Sequence, residues 1–137
     1  MNKKNLLSAF ILLFSFSAFS QIEVGGSMDG RPAAKMWLET NIYNFGNVPL
    51  GSPVSIVFEI KNTGDAPLTI TKAEPSCNCT LVDFTKTPIS PGEKGFVRAT
   101  YDAAILGAFD KRIFVYSNAY EGEMDLVLKG TVIYVKD

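Results

Sequence analysis

A β-sandwich is the fold class this sequence predicts, on three observations. Apolar and polar residues alternate in short runs, most clearly over Val54–Lys61. Clusters of turn-forming residues, such as Asn62-Thr63-Gly64-Asp65 and Pro88–Lys94, separate those runs. Nowhere do apolar residues recur at helical spacing for three turns.

The elements follow in chain order. Lys3 and Lys4 precede an apolar run from Leu6 to Phe19 broken only by serines, and Ala18 and Ser20 supply small residues at the −3 and −1 positions of a cleavage site. A basic start, a short apolar stretch and a small-residue exit predict a cleaved signal peptide over 1–20. The run is shorter than the roughly 20 residues a spanning helix needs. Residues 21–35 contain Gly25, Gly26, Gly30 and Pro32 without periodicity and read as a flexible lead-in. The domain proper is expected over 36–137.

Within it, Val54–Lys61 places Val54, Ile56, Phe58 and Ile60 on one face, with Ser55, Val57, Glu59 and Lys61 on the other. A turn through Asn62–Pro67 leads to a second alternating run, Leu68–Lys72. After the Pro88–Lys94 turn, Gly95–Tyr101 turns Val97, Ala99 and Tyr101 to one side. Lys111–Asn118 and Met124–Tyr134 complete the series, the last with Met124, Leu126, Leu128, Val132 and Tyr134 on a shared face. Short strands with Gly/Pro turns between them make a sandwich the natural architecture.

Composition narrows the function. A chain of 137 residues suits one domain, and 47% hydrophobic residues against 20% charged can build a packed core. A formal net charge of −1, with no basic run, offers no field for nucleic acid. The sequence contains no His. That excludes Ser-His-Asp and Cys-His nucleophiles, His metal ligands and a His pH switch. Asp83, Glu93, Asp102 and Asp110 are scattered among turns, without the pairing of a glycosidase or the spacing of a calcium loop. No metal or cofactor site is expected, and no enzymatic activity.

Cys77 and Cys79 are the reactive side chains that stand out. In an extended strand residues i and i+2 share a face with Cα atoms roughly 6.7 Å apart. That is the outer limit for a disulfide, so bridging calls for a bend at Asn78. Closing so short a loop removes little unfolded-state entropy. Three readings stand open: small, partly buried side chains or a passive local bridge; a thiol redox pair, with Lys72 or Lys86 as the nearest cations in sequence; and a soft-metal site for Cu(I) supported by Met28, Met36 or Met124.

The connector Asp102–Phe109 is unusually apolar. Ile105, Leu106 and Phe109 either fold back over the sandwich end or form a patch that a partner covers. Trp37 and Tyr43 read as core residues of a first strand, with a binding face as the other option.

From Tyr43 to Asn118 the sequence resembles a bacterial family catalogued as domain of unknown function 1573. The residues that carry the resemblance are Phe45-Gly46-Asn47-Val48 with Gly51, Phe58-Glu59-Ile60-Lys61-Asn62-Thr63-Gly64, Ala66-Pro67-Leu68-Thr69-Ile70, Ser76-Cys77-Asn78-Cys79-Thr80, Pro88-Ile89-Ser90-Pro91-Gly92-Glu93, and Gly107 with Lys111. The cysteine pair followed by Thr, with Pro-Gly-Glu about a dozen residues on, is its most specific piece. The family usually has Gly where this chain has Asn78, and Asn tolerates the left-handed backbone such a turn can require.

The resemblance implies export and an immunoglobulin-like β-sandwich of about seven strands. It also implies kinship with modules of cilia, centrosomes and the major sperm protein, which act by binding partners. The expected function is therefore a non-catalytic protein-binding or structural accessory of the bacterial envelope, within a larger outer-membrane assembly, whose partner is another envelope protein. The alternative is thiol redox or soft-metal handling through Cys77 and Cys79. With the signal removed the chain is expected not to span the membrane. The periplasm is the expected location, with secretion or attachment to the outer membrane as alternatives.

Overall fold

The computed structural model describes residues 31–136, so the expected signal peptide and most of the lead-in lie outside the described residues. Eight strands form: β1 (Met36–Trp37), β2 (Ile42–Pro49), β3 (Val54–Asn62), β4 (Ile70–Pro75), β5 (Thr80–Phe84), β6 (Lys94–Tyr101), β7 (Gly107–Ser117) and β8 (Glu123–Ile133). They make two four-stranded sheets, ordered β1-β3-β6-β5 and β2-β8-β7-β4. The count exceeds seven because the first strand is divided between the sheets: β1 pairs with β3, and β2 crosses over to run parallel to β8. All other neighbours are antiparallel. Among the described residues no helix is long and apolar enough to cross a membrane.

The alternating runs place the core as their period requires. Phe58 and Ile60 of β3, Val97, Ala99 and Tyr101 of β6, Ile113 and Val115 of β7, and Leu126, Leu128 and Val132 of β8 are buried between the sheets. Gly130 falls on the same inward register of β8, and the ring of Phe109 fills its place; a Cβ there would lie 2.6 Å from that ring.

Several details correct the sequence reading. Residues 33–35 are part of the domain: Ala34 is buried, Thr63 N–H donates to Lys35 O, and Asp65 N–H to Ala33 O. β7 begins at Gly107, so Phe109 belongs to a strand and not to the connector. β8 stops at Ile133, which leaves Tyr134 exposed and not on the core face. β2 shows no clear alternation because it is an edge strand interrupted by a bulge between Asn44 and Asn47. There Asn44 Oδ1 accepts a hydrogen bond from Gly46 N–H, and Gly46 takes a left-handed φ of 69°.

Asn62 is wholly buried at the end of β3. Its Nδ2 donates to Ala66 O and Ile89 O at 2.8 and 2.9 Å. Its Oδ1 accepts from Gly64 N–H at 3.0 Å and Lys35 N–H at 3.4 Å. One amide thus joins the entering chain, the β3–β4 turn and the segment before β6, satisfying the polar groups those turns bury.

Candidate functional site

Three connections change sheets at one end of the sandwich: β2 to β3, β4 to β5, and β6 to β7. Two backbone bonds tie them together. Gly51 N–H donates to Ala103 O at 2.9 Å, and Asp102 N–H donates to Cys79 O at 3.0 Å. Ala103, at the centre, is fully buried with φ of 53°, the one non-glycine left-handed residue among those described. A left-handed backbone costs any residue with a Cβ about 1 kcal/mol or more, and a methyl adds little bulk to so buried a position. The two regions singled out in the sequence, the cysteine turn and the apolar connector, are therefore neighbours.

Cys77 and Cys79 are joined as a disulfide with Cα atoms 5.3 Å apart, inside the range such a bond needs. The bend expected at Asn78 is present, but Asn78 is not left-handed, so the residue usual in the family is not required by this backbone. Both cysteines are half-buried and Asn78 is exposed. The turn is held independently of its sulfurs, because Ser76 N–H donates to Arg112 O and Arg112 N–H to Ser76 Oγ. Thr80, which follows immediately, is only 3% exposed. Its Oγ1 lies 3.9 Å from Cys77 Sγ and 3.8 Å from Cys79 Sγ, contacts that accommodate a weak hydrogen bond to either.

The other groups weighed for this chemistry lie elsewhere. Lys72 pairs with Glu74, whose hydrogen bond and charge raise the Lys72 pKa. Lys86 stands 3.3 Å above the Phe84 ring. Met36 is opposite Asn62 and Met124 opposite Val115, while Met28 is outside the described residues. Among the described residues no three His, Cys, Asp or Glu side chains gather where they could hold a metal.

The apolar connector divides. Ile105 and Leu106 are 72% and 54% exposed, so they do not cap the core. Phe109 is 7% exposed and stacks on Tyr101 with ring centroids 4.1 Å apart, which withdraws it as a partner contact. Leu50, Tyr134 and Val135 are exposed at the same end, brought together by the Leu50 N–H bond to Ile133 O and the register of Gly107 with Val132. Their convergence was not visible in sequence, because the three segments are far apart in the chain.

A second feature lies on the side where the first strand is divided. β1 covers only Lys61 and Asn62 of β3. Asn62 N–H and C=O engage Glu93 and Gly92 on the β6 side, whereas Thr63 N–H engages Lys35 on the β1 side. Backbone direction alternates along a strand. Ser55, Val57 and Glu59 therefore point their N–H and C=O groups away from β6, and no strand or loop of the described chain pairs with them there. A shallow groove of about 150 Å³ runs beside this edge, lined by Glu39, Thr40, Tyr43, Ile56, Val57, Phe58 and Glu59. Trp37 and Tyr43 are exposed on this side and are not the core residues the sequence suggested, because an edge strand offers them only one packed neighbour. Tyr43 rests edge-on against Phe45 at 4.8 Å.

Comparison with known proteins gives the wider setting. The model of a family described as "Protein of unknown function (DUF1573)" matches residues 36–132. No curated protein matches the sequence. Among solved structures, a protein of unknown function from Porphyromonas gingivalis W83 is 18% identical, with TM-score 0.67 over 77% of this chain and 51% of that one. The seventh PapD-like domain of human CEP192 is 12% identical, with TM-score 0.60 over 85% of this chain and 99% of that domain. The secreted serine protease VesC from Vibrio cholerae is 11% identical, with TM-score 0.58 over 75% of this chain but 24% of the protease. This chain thus spans about half of the Porphyromonas protein and a quarter of VesC. At these identities the likeness is one of fold: an immunoglobulin-like, PapD-like β-sandwich.

Proposed function

The chain belongs to the family described as Protein of unknown function (DUF1573), and on that footing we propose that it is a non-catalytic protein-binding module of the bacterial envelope that accepts a strand from a partner protein along β3. The observation that carries this reading is the open edge at Ser55, Val57 and Glu59. An extended segment laid there gains backbone hydrogen bonds from three successive outward residues, and its side chains reach Tyr43 and Val57 in the adjoining groove. Main-chain pairing supplies affinity, and the groove supplies selectivity. The absence of His from the whole sequence removes the triad chemistry that the likeness to VesC would otherwise invite. The signal-peptide pattern supports export, and the periplasm is the place where such a module meets a larger outer-membrane assembly.

A photo-crosslinking residue at position 57, introduced in the native cell, tests the proposal. One discrete envelope adduct is expected at position 57 and none at position 83, on the outer face of β5. Equal adducts at both positions, or none at 57, would overturn strand acceptance at this edge.

A further inference from the structure

We propose that Cys77–Cys79 is a thiol–disulfide exchange centre that oxidises a dithiol, and that Thr80 is the positioning residue that drives it. This inference is independent of the open β3 edge and adds to the binding module a stoichiometric redox step, one dithiol oxidised per chain. The geometry points to it through the Thr80 hydroxyl, which is buried and has as its only hydrogen-bond partners, among the described residues, the two sulfurs. A disulfide sulfur is a poor acceptor, and a thiolate is a strong one. A hydroxyl placed within 3.9 Å of both sulfurs therefore gains most of its bonding energy after the S–S bond has opened, whichever cysteine leaves. Groups that bind a reacting state better than the ground state accelerate and favour the step.

The surroundings suit exchange. Each cysteine is only half-buried, Cys79 resting against the core, and Asn78 between them is exposed. The bonds of Ser76 with Arg112 and of Cys79 O with Asp102 do not involve the sulfurs, so the turn keeps its place when the bridge opens.

A partner thiolate attacks one sulfur; a mixed disulfide forms, and the S–S electron pair leaves on the other cysteine, where the Thr80 hydroxyl donates to it. The partner's second thiolate then attacks the partner sulfur of the mixed disulfide and releases the remaining cysteine as a thiolate. Two electrons pass to Cys77 and Cys79; one of them takes up a proton from solvent, the other stays a thiolate on the Thr80 hydroxyl, and the partner's dithiol becomes a disulfide. The substrate class is a dithiol, because with a single thiol the neighbouring cysteine expels the attacker and closes the ring again.

The test equilibrates the full chain with set ratios of reduced and oxidised dithiothreitol, followed by alkylation and intact mass. Replacing Thr80 by Val keeps its shape and removes the hydroxyl. Thr80→Val is expected to need about tenfold more of the reduced reagent for half-reduction, while Thr80→Ser stays at the wild-type value. If Thr80→Val fails to fold, Thr80→Ala compared with Thr80→Ser reads the same difference. Glutathione at equal thiol concentration is expected to leave the bridge intact. A Thr80→Val or Thr80→Ala midpoint equal to wild type, or a Thr80→Ser midpoint shifted equally, would overturn the proposal.

Discussion

Asn62 shows how one side chain can hold a fold together without being hydrophobic. Both its amide hydrogens meet carbonyl oxygens, and its oxygen meets two N–H groups. Asn62→Asp would turn a carboxylate toward Ala66 O and Ile89 O in a site with no exposure. A loss of about 3 kcal/mol is expected in urea denaturation; a loss under about 1 kcal/mol would show that water enters the site. Sequence alone marked Asn62 as a turn residue, since a buried amide and a turn amide look alike in one dimension. Tyr101 carries the second expectation at this scale. Burial first, and the adjacent Asp102 carboxylate second, raise its phenol above the ordinary value of 10.0. A phenol whose pKa is higher folded than unfolded contributes stability below pH 10 and loses it as pH rises through the folded value. Tyr101→Phe should flatten the decline in stability measured by denaturation between pH 9 and 11.

At the scale of elements, the strand edges matter more than the strand interiors. Amide exchange reads the edge of β3 directly. Ser55, Val57 and Glu59 are expected to exchange at close to unstructured rates, while Ile56, Phe58 and Ile60, which face β6, are protected at least about a hundredfold. Uniform protection along β3 would mean that its edge is already occupied. The interior halves of β3, β6 and β7 were legible in sequence because each alternates between core and solvent, and β8 because Leu126, Leu128 and Val132 share a face, although Val127 is buried as well. β2 was not: its burial is dominated by exposure and its register shifts at Asn44. β5 was missed because Thr80–Phe84 has only one buried residue. Of the candidate residues, the cysteine turn was legible from its spacing. The role of Thr80 was hidden, since a Thr after a Cys is unremarkable until its hydroxyl is seen facing sulfur.

For the molecule as a whole, the small disulfide ring sets a modest scale. A three-residue loop is worth about 1.5 kcal/mol of chain entropy, so reduction is expected to lower the melting temperature by no more than about 10 °C and leave the sandwich folded. Complete unfolding on reduction would show that the bridge is structural. With no His in the chain, no side chain of ordinary pKa titrates near neutrality, and stability is expected to stay level from about pH 6 to 9 in denaturant titrations. The divided first strand carries the widest consequence. The chain leaves the first sheet after Trp37, and everything on β3 before Lys61 remains uncovered. The site of that departure works as a ruler. Each two residues added to β1 would close one outward position of β3, and each two removed would open another. The length of peptide the edge can measure is then an inheritable quantity, adjusted by where one strand changes allegiance and without altering a single residue of the core.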